Sequence, residues 1–252
     1  MRRIQAIGWV MAAWAVSVSA AATDIKVLTA GAFKPVVMAL AAEFEGRTGH
    51  QLKIENDTAG ALLRRIDKGE AFDVVVLTPA AVAQLTQAGK LAPGSSMPLA
   101  RVAIGVAVKQ GAPAPDIGNV AAFRQALLSA RAVAYIDPAS GGSSGIYLAQ
   151  LFDRMGIAPE MGAKAVLVPG GLVAQRVVGG EADIALHQIS EILAVPSAVL
   201  VGPIPAEIQN YTVYAGGISA AAGDAAAAKE FLTLLGSERA KAVLTDKGME
   251  AP

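Results

Sequence analysis

The sequence predicts an α/β protein of two lobes, built on mixed, mostly parallel sheets. Three observations lead there. Strand-like and helix-like segments alternate almost without interruption from residue 24 onward, the order that lays helices over a parallel sheet. Ala71–Leu77 (AFDVVVL) is an almost wholly apolar run, as expected of a strand covered on both faces. Two Pro- and Gly-bearing breaks, Leu91–Pro98 and Val201–Pro205, each precede a long β-rich segment. They divide the chain into lobes joined by crossing strands, with residues 23–98 and 210–252 in the first and 99–209 in the second.

The elements follow in order. Asp24–Ala30 reads as a strand. Pro35–Arg47 reads as a helix with proline in its first turn and Val37, Leu40, Ala41 and Phe44 on one face. Gln51–Glu55 is a strand and Ala59–Lys68 a helix with Leu62, Leu63 and Ile66 inward. Pro79–Ala88 is a helix closed by Gly89, and Leu99–Val108 is a long strand. Val120–Ser129, Gly145–Met155 and Leu172–Val178 read as helices, and Ala132–Ile136, Ala165–Val168 and Asp183–Leu186 as strands. Tyr211–Ile218 returns as a strand before two closing helices, Asp224–Leu235 and Ser237–Asp246.

Residues 1–22 read as a secretory signal. Arg2 and Arg3 open it, Ile4–Val16 is uncharged and mostly apolar, and the small-residue tail Ser17–Ala22 offers a cut after Ala20 or Ala22. The apolar run is shorter than the roughly 20 residues that span a bilayer. With no cysteine in the chain, neither a lipid-modified N-terminal Cys nor a disulfide can form. The expectation is a soluble, monomeric periplasmic protein. The chain has 21 basic and 21 acidic residues; without Arg2 and Arg3 the balance is 19 to 21. Such a near-neutral surface does not attract nucleic acid or anionic membrane, and 5% aromatic content argues against a stacking platform.

In open parallel sheets ligands sit where strands run out into loops and helices. Those loops are Ala30–Phe33, Asn56–Gly60, Leu77–Pro79, Ser140–Gly145, Pro169–Gly171 and His187–Gln188. Within Tyr135–Tyr147 (YIDPASGGSSGIY), a buried strand gives way to a Gly/Ser-rich turn and a helix start. Free backbone N–H groups, the positive helix end and serine hydroxyls there make a place for an anion. An ordinary serine-capped turn is the alternative. Two histidines occur. His50 reads as a surface residue, whereas His187 ends a strand at the cleft. Ligand contact, plain packing and a general base are all open for His187, with no acid/base partner at fixed spacing to favour the last. Arg65 lies at the edge of a buried helical stripe as a carboxylate clamp or a solvated arginine, Arg64 points to solvent, and Arg176 offers the same pair of readings as Arg65. No His/Asp/Glu cluster has metal-ligand spacing, and no nucleophile elbow or nucleotide fingerprint occurs. No metal or cofactor is expected.

Over its whole mature length the chain resembles the periplasmic molybdate-binding proteins and related bacterial solute-binding proteins. The likeness rests on Val27–Phe33 with Leu40–Glu45, Gly60–Ile66, Gly69–Leu77, Asp137-Pro138 with Gly145–Tyr147, Gly180–Ile184 and Phe231–Gly248. It implies a type II periplasmic-binding-protein fold, with a hinge between lobes and a cleft that closes on a small anion. It also implies an ABC-type importer as partner. In the oxyanion-binding branch a hydroxyl is expected in the first loop, another in the second, and a tyrosine after the late strand. Ala32, Ala59 (beside Thr58) and His187 stand there instead. These differences argue against molybdate or tungstate and for a larger anion, a di- or tricarboxylate. The resemblance extends to aconitate isomerase-type relatives, in which His187 would be the catalytic candidate. The expected ligand-binding residues are Gly31, Ala32, Phe33, Thr58, Ala59, Gly60, Arg65, Ser140, Ser143, Ser144, Gly145, Tyr147, Gly170, His187 and Gln188.

Overall fold

The computed structural model describes residues 22–252, so the signal segment read over residues 1–22 lies, apart from Ala22, outside the described residues. The first lobe is built on β1 (Asp24–Ala30), flanked in parallel by β2 (Gln51–Asp57) and β3 (Val74–Leu77). Between β1 and β2 runs α1 (Lys34–Thr48), which buries Val36, Val37, Leu40 and Phe44 and stops at Gly49, where φ is 79°. That left-handed turn favours glycine. Thr58 Oγ1 accepts the Ala61 N–H and caps α2 (Ala59–Asp67), and Thr78 does the same for α3 (Pro79–Gln87).

The long strand β4 (Met97–Lys109) passes from one lobe to the other. Residues from Met97 to Ala103 pair antiparallel with β9 (Tyr211–Ile218), and those from Ile104 onward pair with β7 (Ile184–Gln188) and β8 (Ala198–Pro203). The second lobe continues from β7 through β5 (Val133–Ile136) to β6 (Ala165–Val168), both steps parallel. The sheet order is β2-β1-β3-β9-β4-β7-β5-β6, with β8 beside β4. Every antiparallel pairing in it involves β4 or β9, so the strands between the lobes break an otherwise parallel pattern.

Burial follows the same division. Leu99, Ala100 and Val102 of β4 join a core that includes Val27, Phe33, Phe44 and Phe231, while Ile104 and Val106 join one built on Phe123, Phe152 and Leu186. Along β5, Val133 and Tyr135 pack into this second core, and Ala134 and Ile136 into a third on the opposite face with Val173 and Val177. This is the two-residue alternation of a strand covered on both sides. Helices α4 (Val120–Ser129) and α5 (Ser143–Arg154) cover the second core, and α9 (Ala225–Leu235) and α10 (Glu238–Asp246) complete the first.

Several local expectations differ. Val201–Pro205, read as a break, contributes its first three residues to β8, with Pro203 at the strand end, where a missing N–H is tolerated. The helix expected from Leu172 is the single turn α7 (Gln175–Val178), and α6 (Ala158–Lys164) and α8 (Ile189–Leu193) were not foreseen. All three span fewer than two full turns or little more, too short to carry a helical period. His50 is buried rather than at the surface. It stacks on Phe44 at 6.2 Å, and its Nδ1 pairs with Thr23 Oγ1 at 2.8 Å.

Candidate functional site

A narrow cleft, with a cavity of only about 30 Å³, lies where the carboxyl ends of the strands from both lobes meet; the lobes must part to admit anything larger than a water or two. The first lobe lines it with Ala30, Gly31 and Ala32 after β1, and with Asn56, Asp57, Thr58 and Ala59 after β2. The second lobe supplies Gly142, Ser143 and Ser144 at the start of α5, Gly171 after β6, His187 and Gln188 at the end of β7, and Glu191 on α8; Tyr214 comes from β9. An outer chamber shares Gly31, Asn56, Gly171 and Glu191 with this cleft and adds Lys34, Met38 and Gln175.

The start of α5 is open. Its N-cap is Gly142, and no side chain caps it, so the serine-capped turn is not what the chain forms. Ser143 and Ser144 are the first two helical residues, and their N–H groups have no carbonyl one turn earlier. Gly145 lets the helix press against the strand below, because a Cβ there would fall 2.2 Å from Ile136 O.

The chemically distinctive feature is an acid/base pair. His187 Nε2 lies 3.1 Å from Glu191 Oε2, and both side chains are buried. Burial pushes the Glu191 carboxyl up and the His187 imidazole down, since each must give up water to carry a charge. The stable arrangement is therefore neutral, with the protonated carboxyl donating to Nε2. The imidazole hydrogen then sits on Nδ1, which has no partner among the described residues and is free to donate. Beside the pair, Gln188 Nε2 approaches Ser143 Oγ, Thr212 Oγ1 and Tyr214 Oη, each at 3.1 Å. Burial, with Glu191 nearby, raises the Tyr214 phenol, which leaves it a neutral donor. The two N–H groups of this amide serve the three oxygens between them, and Thr212 Oγ1 donates in turn to Ser143 Oγ at 3.3 Å, so the cluster is held as a network.

The two lobes touch across the cleft. Thr58 Oγ1 donates to Ser140 O at 2.7 Å, Gly60 N donates to Gly141 O at 3.2 Å, and Ser190 Oγ donates to Ala32 O at 2.8 Å. The Gly60–Gly141 contact is backbone on backbone: a Cβ on Gly60 would fall 2.8 Å from Gly141 Cα, and Gly141 has φ 83°. The cleft is thus described in a closed state.

Of the residues expected to bind a ligand, Gly31, Ala32, Thr58, Ala59, Ser143, Ser144, His187 and Gln188 line the cleft. The others do different work. Phe33 is wholly buried in the first core. Gly60 and Ser140 form the interlobe contacts, and Gly145 seats α5. Tyr147 donates to Ile208 O at 2.7 Å, and Gly170 faces Asp57. Arg65 is not a ligand clamp, because Glu70 at 2.5 Å and Glu55 hold its guanidinium away from the cleft. Arg64 does not point freely to solvent but donates to Ser140 O at 3.2 Å, and Arg176 pairs with Glu181 at 3.0 Å. Asn56 and Asp57 belong to a loop the sequence places at the cleft, without being singled out there as ligand contacts; Glu191 and Tyr214 were missed. The spacing of His187 to Glu191 was the available signal for Glu191; Tyr214 gave none.

Two α/β lobes joined through β4 and closing loop against loop over a small polar cleft give the fold of the periplasmic binding proteins. The chain belongs to the bacterial extracellular solute-binding proteins, whose family profile matches residues 25–250. Aconitate isomerase from a Pseudomonas species is 36% identical over 234 residues, spanning 90% of this chain and 88% of that protein. The periplasmic molybdate-binding protein of Azotobacter vinelandii superposes with a TM-score of 0.76 at 21% identity, covering 90% of this chain and 99% of its own. The sulfate-binding protein SubI of Mycobacterium tuberculosis gives 0.72 at 17% identity over 91% and 87%. At these identities the two structures speak for the fold.

Proposed function

We propose that the cleft binds an unsaturated tricarboxylate, aconitate, in the periplasm and shifts a proton along it, interconverting the cis and trans isomers. The observation that carries this reading is the buried Glu191–His187 pair in the cleft wall, and the 36% identity to an aconitate isomerase points the same way. The reaction needs a group that takes a proton from the methylene carbon and returns one to the vinylic carbon. Glu191 passes its proton to His187 Nε2 and, as a carboxylate, accepts the methylene proton. The double bond migrates through a carbanion spread over the allylic carbons and the adjoining carboxylates. Glu191 then protonates the former vinylic carbon and recovers its own proton from His187, so that both groups end as they began. Proton exchange within a neutral buried pair avoids holding a lone charge in a poorly solvated site.

Carboxylates of the substrate are met by the open start of α5, the Ser143 and Ser144 hydroxyls and the unpartnered His187 Nδ1. Ala32, Ala59 and His187 offer a tetrahedral oxyanion little of the hydroxyl cage that molybdate or tungstate takes. A second reading is a receptor that presents a small carboxylate to an ABC-type importer; the chain's family favours it. Melting curves with cis- and trans-aconitate, molybdate and sulfate, followed by NMR of each aconitate incubated with the protein, separate these readings. Aconitate should raise the melting temperature through mass action and be isomerised. Stabilisation without turnover selects the receptor, and stabilisation by molybdate alone overturns the carboxylate assignment.

A further inference from the structure

The inner cleft has a charge problem. Its ionisable lining residues are Asp57, Glu191, His187 and Tyr214, and no lysine or arginine is among them. We propose that Lys34, in the outer chamber, takes the carboxylate that distinguishes a tricarboxylate from a dicarboxylate. This inference rests on the carboxylate reading of the cleft and names the residue that sets its substrate class.

Lys34 is the one cationic side chain lining either chamber among the described residues. It is half-buried and opens α1, with no acidic residue in that first turn and no side-chain cap. No carboxylate lies within ion-pair distance of it among the described residues, a condition it shares with Lys68, Lys90, Lys109, Lys164 and Lys229; its place in the chamber wall sets it apart from them. A short 3-10 turn over Gly31–Phe33 leads into this 15-residue helix and its Gly31 O accepts the Lys34 N–H, so Lys34 is a cation near the positive end, where the helix dipole disfavours it. An anion placed between Lys34 and that helix end removes the disadvantage and gains from both. The two chambers adjoin, sharing Gly31, Asn56, Gly171 and Glu191, and a ligand seated before the lobes close would lie across both. Its inner end would meet the unpartnered Nδ1 of buried His187, and its outer end Lys34, with Gln175 of the second lobe lining the same chamber.

Calorimetry with tricarballylate and glutarate tests this without turnover, because both are saturated and they differ by one carboxylate. The wild-type protein should bind tricarballylate the more tightly. Lys34→Gln should weaken tricarballylate binding about tenfold, the effect of one charge-assisted contact in a half-exposed setting. Glutarate affinity should stay within about twofold, and Lys34→Arg should restore most of the loss. Ligand-free melting curves of each variant establish that the fold is intact. Equal losses for both ligands, or none for either, overturn the role of Lys34 while leaving the carboxylate site standing. A wild-type protein that binds neither compound overturns both. Binding without isomerisation of aconitate removes the enzymatic reading alone, and Lys34 then sets the specificity of a receptor.

Discussion

Glu70 and Glu191 are the same residue type in opposite circumstances. Glu70 lies on the first lobe between Arg65 and Lys26, with salt-bridge distances of 2.5 and 2.8 Å, and Lys26 and Arg65 also pair with Glu55. The Arg65 hydrogen bonds, and then that of Lys26, bring the Glu70 carboxyl down to about 2. Among the described residues Glu191 pairs only with a neutral histidine, and burial pushes it up to about 8. The charged cluster attracts notice in the sequence, yet it tethers a helix to a sheet edge. The neutral pair looks unremarkable in the sequence and is the one to which the proposed proton shift is assigned. A proton carrier needs a pKa near the working pH, and here isolation from water and cations, rather than neighbouring charge, moves it there.

The sharpest way to break this contrast is Glu191→Gln. It keeps the shape of the side chain and removes the exchangeable acid, so isomerisation should fall by about 10²–10⁴-fold with a melting temperature equal to or above that of the wild type. Turnover close to wild type would move the proton shift elsewhere. Next in size is Gly60→Ala, which places a Cβ 2.8 Å from Gly141 Cα and so opposes closure. Ligand affinity by calorimetry should drop about tenfold or more, while the ligand-free protein holds or gains stability because alanine suits a helix better than glycine.

The fold and the cleft were legible in the sequence to unequal degrees. Strands such as Val74–Leu77 and helices such as α1 are fixed by periodic burial and end signals, which are local. The cleft loops were legible for the same reason, since Gly31, Ser143 and His187 each follow a strand end. Glu191 was not, because α8 spans only Ile189–Leu193 and the corner that brings it back to His187 has no periodic signal. Tyr214 comes from β9, and its place in the cleft depends on pairing with β3 and β4, far off in sequence. Arg65 misleads for the converse reason: its partners Glu55 and Glu70 lie near it in sequence, but their positions around it depend on the fold.

Smaller effects sharpen the contrast through pH. The raised Glu191 contributes stability that is present below its ordinary value near 4.5 and lost as pH rises through about 8. His187, lowered from 6.5 to about 3, contributes stability present above 6.5 and lost as pH falls. Ligand-free melting curves should therefore show a maximum between those limits, and Glu191→Gln should flatten the alkaline side alone. Glu70 behaves in the opposite sense to Glu191: its contribution is present above 4.5 and lost as pH falls toward 2. The smallest effect belongs to Arg65→Ala, about 1 kcal/mol of stability by urea titration for a partly exposed network, with aconitate affinity unchanged. A loss of affinity there would bring Arg65 back into the ligand site.

Proton NMR of trans-aconitate incubated with purified protein at neutral pH, beside Glu191→Gln under the same conditions, tests the proposed proton shift most directly. The wild-type protein should produce cis-aconitate until the two isomers reach equilibrium, and the variant should bind the substrate without converting it. An unchanged trans-aconitate spectrum with wild-type protein, at a concentration that stabilises it against heat, would contradict the proton shift and leave a receptor in its place.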